Sequence, residues 1–132
     1  MGSYIVMLRT DADDRDITEE MLAETGHKVD LKFVADLREL KQVITDAGDP
    51  LFILLNDRGA AHADHEQLHQ LKSDPRSAHI PVILLGEMST KEYIMECYRA
   101  GANSFIIKPS SIAETRKKIE RFFDYWLNVA ET

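Results

Sequence analysis

Polar side chains that follow apolar runs are the residues of this chain best suited to chemistry. The run in "PLFILLND" ends at Asn56 and Asp57, and a later run ends at Lys108. A carboxylate can act as a nucleophile or bind a hard cation, and a lysine can bind a phosphate. An amide offers no nucleophilic oxygen of this kind. A site built around Asn56 is therefore suited to hydrogen bonding and not to forming a covalent intermediate.

Apolar runs alternate with helical patterns along the whole chain. The runs with strand character are "YIVML", "KVDLKFV", "LFILL", "IPVILL" and "SFII". The second alternates apolar with polar residues, which predicts an edge strand, whereas the third is apolar throughout, which predicts a strand at the centre of the sheet. Five strand-helix units in succession predict an α/β fold, with a parallel sheet covered by helices on both faces. The length of 132 residues predicts a single domain over residues 1–132.

The ends of the predicted strands select the candidate site. In parallel sheets the functional crevice lies at the carboxyl ends of the strands, near the point where the strand order reverses. The residues at these ends are Arg9, Thr10, Asp11, Asn56, Asp57, Arg58, Gly86 and Lys108.

Composition excludes several classes of function. The net charge of -7 argues against direct binding of nucleic acid, because contacts to phosphates need a basic surface. No apolar run has the roughly 20 residues of a membrane span, and no secretory leader opens the chain, so we expect a cytoplasmic protein without membrane contact. The single cysteine, Cys97, lies within a helical pattern and is interpreted as a core thiol. No cofactor and no metal are predicted.

The chain resembles a response-regulator receiver domain over essentially its whole length. "AGANSFII" followed by Lys108 and Pro109 is similar to the family's fifth strand with its lysine. The separations among Asn56, Gly86, Phe105 and Lys108 match those of the family's phosphoacceptor aspartate, switch Ser/Thr, switch aromatic and lysine. The stretch "LKSDPRSAHIPVILL" is similar to small stand-alone receivers that partner phytochrome-like kinases. The resemblance implies a CheY-like, flavodoxin-like (βα)5 doubly wound sheet in strand order 2-1-3-4-5, and a role in two-component signalling.

Several family positions carry other residue types in this chain. The resemblance places Asn56 at the phosphoacceptor, Arg9 and Thr10 at the acidic pair that holds a divalent cation, and Gly86 at the switch hydroxyl. A guanidinium is always charged and repels a cation, and glycine has no hydroxyl. The resemblance therefore implies a pseudo-receiver that works through protein contacts, without aspartyl phosphorylation or Mg²⁺ and without enzymatic activity.

An alternative is a receiver that phosphorylates a non-standard acid, either Asp57 or Asp11, with Lys108 as the phosphate partner. Because successive strand residues point to opposite faces, Asp57 is expected to begin the loop and project from the pocket as a solvated carboxylate. Asp11, Asp13 and Asp14 are interpreted as acids that favour the positive end of the first helix.

Two other ligand sites are weaker hypotheses. A small anion or nucleotide could bind between Arg9 and Lys108, but the chain has no Gly-rich phosphate loop. His62, His65 and His69 have a helical spacing that can bind zinc or nickel. A solvated helix edge is the preferred interpretation of these histidines.

The last helix is the candidate interaction surface. Its aromatic residues, Phe123 and Trp126 among them, spread around more than one face, and with Tyr98 they predict an exposed apolar patch. The resemblance implies contact through the fourth helix, fifth strand and fifth helix, with a histidine kinase, an output protein or a second copy of the chain. The acidic first helix and the basic residues of the last helix would steer this association. These basic residues are Arg116, Lys117, Lys118 and Arg121.

Overall fold

Five strands alternate with five helices in a computed structural model that describes residues 3–9, 12–24, 29–58, 64–87, 89–108 and 111–129. The strands are β1 (Ser3–Leu8), β2 (Val29–Val34), β3 (Ile53–Asp57), β4 (Val82–Gly86) and β5 (Ser104–Ile107). The helices are α1 (Ala12–Glu24), α2 (Leu37–Ala47), α3 (Asp64–Ser73), α4 (Lys91–Arg99) and α5 (Ile112–Asp124). A π-helical turn, Tyr125–Val129, continues α5.

The strands form one parallel sheet in the order β2-β1-β3-β4-β5. This order reverses between β1 and β3, so the crevice expected of a doubly wound sheet lies at the carboxyl ends of these two strands. The predicted α/β class, the parallel sheet and the strand order implied by the resemblance are confirmed. The second strand is an edge strand, as its alternating pattern predicts.

Alternation along β1 divides the core into two halves. Tyr4, Val6 and Leu8 pack with buried residues of α2, α3 and α4, whereas Ile5 and Met7 pack with buried residues of α1 and α5. The helices therefore cover both faces of the sheet, with α2, α3 and α4 on one and α1 and α5 on the other. Cys97 is fully buried in the α2–α4 half, which confirms the interpretation as a core thiol.

Hydroxyl caps fix where α4 and α5 begin. The Thr90 side chain accepts from the Tyr93 amide at 3.2 Å, and the Ser111 side chain accepts from the Glu114 amide at 3.1 Å. Ser111 is therefore the N-cap of α5. No helix within the described ranges is both long and apolar enough to cross a membrane.

The third strand extends beyond the apolar run that predicted it. β3 was expected to end at Leu55, but it continues through Asn56 and Asp57, which pair with Leu85 and Gly86 of β4. The polar residues remain in the strand because the parallel ladder to β4 continues past the apolar segment. The candidate site is therefore built partly on rigid sheet and not only on loops.

Side chains from both flanking helices cover the outer edge of β5. The Tyr98 hydroxyl of α4 accepts from the Phe105 amide at 3.0 Å. The Lys118 ammonium of α5 donates to the Ile107 carbonyl at 2.5 Å. These contacts satisfy backbone groups at the edge that no neighbouring strand reaches.

Candidate functional site

Asn56 lies at the carboxyl end of β3, on the side of the sheet that carries α1 and α5. Leu54, two residues earlier, belongs to the core under these helices, and alternation places Asn56 on the same side. The side chain is half-buried, and its Oδ1 atom is buried without a hydrogen-bond partner among the described residues. A buried amide oxygen with no donor is uncommon in folded proteins.

Lys108, which follows β5, forms an ion pair with Asp14 of α1. The Lys108 Nζ atom donates to Asp14 Oδ2 at 2.9 Å, and only 16% and 9% of the two side chains are exposed. Asp14 lies in the first turn of α1, as predicted, and it also has a partner that the sequence did not predict, because this turn packs against the end of β5. The lysine that the resemblance assigns to a phosphate is thus already bonded to a carboxylate of the chain.

Arg9 follows β1 in a left-handed backbone conformation with φ of 59°. Its amide donates to the Val34 carbonyl at 3.1 Å. Its guanidinium reaches α3, where the Gln67 side-chain oxygen accepts from it, at 2.8 Å from Nη2, in the amide orientation that satisfies both partners. The cationic side chain is therefore anchored to α3. Thr10 and Asp11 lie outside the described residues.

Asp57 is buried and not solvated. Its side chain lies on the same side of the sheet as Leu55, facing α3 and α4, and 3% of the residue is exposed. The Tyr93 hydroxyl of α4 donates to Asp57 Oδ1 at 2.5 Å. The prediction that Asp57 points away from Asn56 agrees with the alternation. The prediction that it is a solvated loop carboxylate is wrong, because α4 closes over the strand end.

The buried environment also shifts the ionisation of Tyr93. Burial is the main cause that raises the pKa of its hydroxyl, and the hydrogen bond and negative charge of Asp57 raise it further. The protonated phenol is therefore the form that the fold stabilises. It is the form that can donate to Asp57.

Gly86 of β4 is the register partner of Asp57. The Asp57 side chain occupies the space next to the Gly86 Cα atom. A Cβ atom built on Gly86 would lie 3.1 Å from both Cβ and Oδ2 of Asp57. This is tighter than most real Cβ contacts, so Asp57 would have to shift by a few tenths of an ångström. A larger residue at this position would therefore press on Asp57 in its inward position, which gives a physical reason for the glycine.

The described residues of the site do not fit a divalent cation. Magnesium prefers carboxylate oxygens and waters in octahedral geometry. Arg9 contributes a positive charge, Asn56 contributes one neutral oxygen, and the Asp14 carboxylate is paired with Lys108. Within the ranges given above, no three His, Cys, Asp or Glu side chains are arranged to hold a metal ion.

The three histidines do not share one environment. His62 lies outside the described residues, and His69 is exposed. His65 is half-buried, its ring packs edge-on against Tyr93 with centroids 5.8 Å apart, and its Nδ1 atom is buried without a hydrogen-bond partner in the described part of the chain. The solvated interpretation is therefore wrong for His65, which packs in the cluster around Tyr93.

The residues predicted for the interaction face divide between core and surface. Phe123 is fully buried and packs against Phe52, so the prediction that it is exposed is wrong. Trp126 is half-buried, with its ring 5.7 Å from that of Phe52, and Tyr98 is 46% exposed. Phe105 is half-buried against the α2–α4 core.

Sequence reasoning missed Tyr93, which it counted only as an apolar position of a helix. The signal was present, because a tyrosine on the buried face of a helix needs a partner for its hydroxyl. The partner itself was not predictable, since Asp57 is distant in sequence and was assigned to a loop.

Comparison with known proteins gives relatives in sequence and in structure, whereas no family model matches the chain. Over 78 residues it is 32% identical to the probable methanogenesis regulatory protein FilR2 of Methanothrix harundinacea, covering 59% of this chain and 50% of that protein. Over 57 residues it is 30% identical to the chemotaxis protein CheY-3 of Vibrio cholerae, covering 43% and 44%. The chain spans about half the length of these relatives.

A structural match covers the chain almost completely. The phosphorylated cyanobacterial phytochrome response regulator RcpA superposes with a TM-score of 0.86 at 23% identity, over 99% of this chain and 98% of that one. At this identity the likeness shows the fold alone. The chain has the fold of a CheY-like response-regulator receiver domain, and in sequence it is similar to response regulators over about half of its length.

Proposed function

We propose that this receiver domain acts in signal transduction through protein contacts, without aspartyl phosphorylation and without Mg²⁺. It is a module that is recognised by other proteins and not a free-standing enzyme. The match to CheY-3 and the phosphorylated state named for RcpA make phosphorylation the activity to be tested here.

The observation that carries the proposal is the chemistry around Asn56. The amide stands at the position that the resemblance gives to the phosphoacceptor, and it has no nucleophilic oxygen. Lys108 is engaged by Asp14 at 2.9 Å, so a phosphoryl group would have to displace an internal ion pair to bind it. Arg9 stands where a cation ligand would be needed. The nucleophile and the cation ligand are thus absent, and the lysine is already engaged.

The alternative acceptors have less support. Asp57 is 3% exposed, and its carboxylate accepts from Tyr93, so a phosphodonor would have to open the packing of α4 to reach it. No observation favours Asp11, which lies outside the described residues. We therefore retain these acids as outcomes of the experiment and not as a second function.

Intact mass spectrometry after incubation with acetyl phosphate and Mg²⁺ tests the proposal. We expect no phosphate adduct on this chain under conditions that phosphorylate a standard receiver in the same tube. The Asn56→Asp variant is the matched comparison, because it restores only the nucleophile. An acid-labile adduct on the unmodified chain would contradict the proposal, and its loss in Asp57→Asn or Asp11→Asn would identify the acceptor.

We further propose that the partner binds the face formed by α4, β5 and α5. A groove of about 640 Å³ runs between β5 and α5, and its lining includes Phe105, Trp126 and Tyr125, the last of which is 52% exposed. Lys118 and Arg121 also line the groove. Apolar side chains beside basic ones suit a protein partner that presents apolar and acidic residues together.

Charge reversal tests this surface. Arg121→Glu should abolish capture of the partner from cells of the native host, whereas Arg38→Glu on the exposed face of α2 should leave it unchanged. Light scattering of the purified chain first establishes whether the partner is a second copy. Equal capture by both variants would show that the partner uses another face.

A further inference from the structure

We propose that Asp57, Gly86 and Tyr93 form a latch that holds α4 in one position against the ends of β3 and β4. The inference goes beyond the proposed function, because it concerns how α4 is held and not whether the chain accepts phosphate. It assigns a role to the one carboxylate that directly follows Asn56. It also assigns a role to the glycine at the switch position.

The latch begins with the hydrogen bond between strand and helix. Tyr93 lies in the first turn of α4, is 4% exposed, and donates to Asp57 Oδ1 at 2.5 Å. This separation is at the short end of the range for a hydroxyl donating to a carboxylate, which is the stronger class of hydrogen bond. The bond joins the rigid end of β3 directly to the first turn of α4.

Gly86 leaves room for the carboxylate in the position from which it accepts this bond. The Asp57 carboxylate lies over Gly86 Cα, where even a methyl group would approach Oδ2 to 3.1 Å. Asp57 and Gly86 are also register partners across β3 and β4. A methyl group at position 86 would therefore press on the carboxylate and shift it by a few tenths of an ångström from its place against Tyr93, so the two strand ends form one unit with the helix.

The Tyr93 ring extends this unit to α3. The His65 ring packs edge-on against it at 5.8 Å between centroids, so the ring is held by α3 while its hydroxyl is held by β3. On the outer side of α4, Met95 and Tyr98 are 42% and 46% exposed. A latched α4 presents these two side chains in one fixed arrangement, independent of any change at Asn56.

Hydrogen exchange of the full chain tests the latch. Tyr93→Phe removes only the hydroxyl, and we expect the amides of 91–99 to exchange at least about tenfold faster, the size expected for losing a hydrogen bond to a charged group. Tyr4→Phe is the matched control, because Tyr4 is equally buried and donates to the Gly48 carbonyl at the opposite end of the sheet. In Tyr4→Phe, the ratio of exchange in α4 to exchange in β1 should be no higher than in the unmodified chain.

Gly86→Ala provides an independent test through a residue outside the helix. It should accelerate exchange in α4 as Tyr93→Phe does, and combining the two should add little, since both break the same bond. Fully additive effects, or α4 exchange in Tyr93→Phe no faster than in Tyr4→Phe, would overturn the proposal.

Discussion

At the scale of single residues, Asn56 and Asp57 are neighbours in different environments. Asn56 has a buried oxygen with no described donor, whereas Asp57 accepts a hydrogen bond at 2.5 Å and packs tightly over Gly86. The polar residue that the resemblance makes central is therefore the less well satisfied of the two. Most of the local bonding at the end of β3 belongs to Asp57.

The ionisation of Tyr93 makes stability depend on alkaline pH. The pKa of the Tyr93 hydroxyl is raised in the folded chain. Its contribution to the unfolding free energy is therefore fully present below the ordinary tyrosine pKa of about 10 and is lost as the pH rises above that value. We expect the unfolding free energy of Tyr93→Phe to fall less steeply above pH 10 than that of the unmodified chain. Urea titrations between pH 8 and pH 11 measure this slope, with the exposed Tyr125→Phe as the control substitution. Identical slopes for the chain and Tyr93→Phe would contradict the expectation.

At the scale of elements, contacts between α1, α5 and the end of β5 close one side of the sheet. Lys108 and Asp14 join β5 to α1 through a nearly buried ion pair. Phe123 and Phe122 of α5 pack on Phe52 at the start of β3. The first contact depends on charge and the second on apolar burial. Each contact can therefore be removed by its own substitution while the other is kept.

Removing one partner of the ion pair should be costly. Asp14→Ala leaves the Lys108 ammonium nearly buried without this carboxylate, and we expect a loss of about 3 kcal/mol in unfolding free energy. Asp14→Leu combined with Lys108→Met removes both charges and should recover most of that loss. Chemical denaturation of the three proteins measures the difference. A double variant less stable than Asp14→Ala would show that the pair is not the stabilising element.

Phe123 and Tyr125 are close in sequence but should respond very differently. Phe123 is fully buried, so Phe123→Ala should cost about 3–5 kcal/mol through lost burial and the cavity left behind. Tyr125 is 52% exposed, so Tyr125→Ala should cost less than about 1 kcal/mol. Thermal unfolding of both variants checks this contrast. Binding defects in Phe123→Ala would therefore report folding and not docking.

At the scale of the whole molecule, charge is partly neutralised within the chain. Arg116 of α5 donates to Glu20 and to Glu24 of α1, the latter at 3.3 Å. The acidic first helix and the basic last helix therefore pair with each other at this point. Lys118 is likewise engaged, since it donates to a backbone carbonyl. Steering of a partner by the remaining charges stays a prediction.

The fold was largely predictable from sequence, and the site only partly. The alternation of runs predicted all five strands and five helices, because parallel sheets leave a strong apolar signal. The Lys108 to Asp14 pair joins residues 94 positions apart, and no local pattern encodes it. Asp57 was misplaced because polarity was taken as the end of the strand, whereas pairing with β4 continues through it. Tyr93 and Phe123 needed the tertiary packing to be known.

Restoring the family chemistry should require several changes together. Asn56→Asp alone restores the nucleophile but leaves Arg9 where a cation ligand is needed. We expect it to give at least about tenfold less phosphate adduct than the variant that also carries Arg9→Asp and Thr10→Asp, because magnesium requires the carboxylates. Intact mass with acetyl phosphate and Mg²⁺ measures both. Equal adduct in the two variants would show that the amide alone prevents the reaction.

The covered edge of β5 has a consequence for aggregation. An open sheet edge is a template on which another chain can add a strand, and such additions lead to fibrils. Tyr98 and Lys118 bond to backbone groups on this edge from the two flanking helices. Addition of a strand at this edge should therefore be disfavoured. Loss of both caps, in Tyr98→Phe combined with Lys118→Met, should make it prone to forming intermolecular β-sheet.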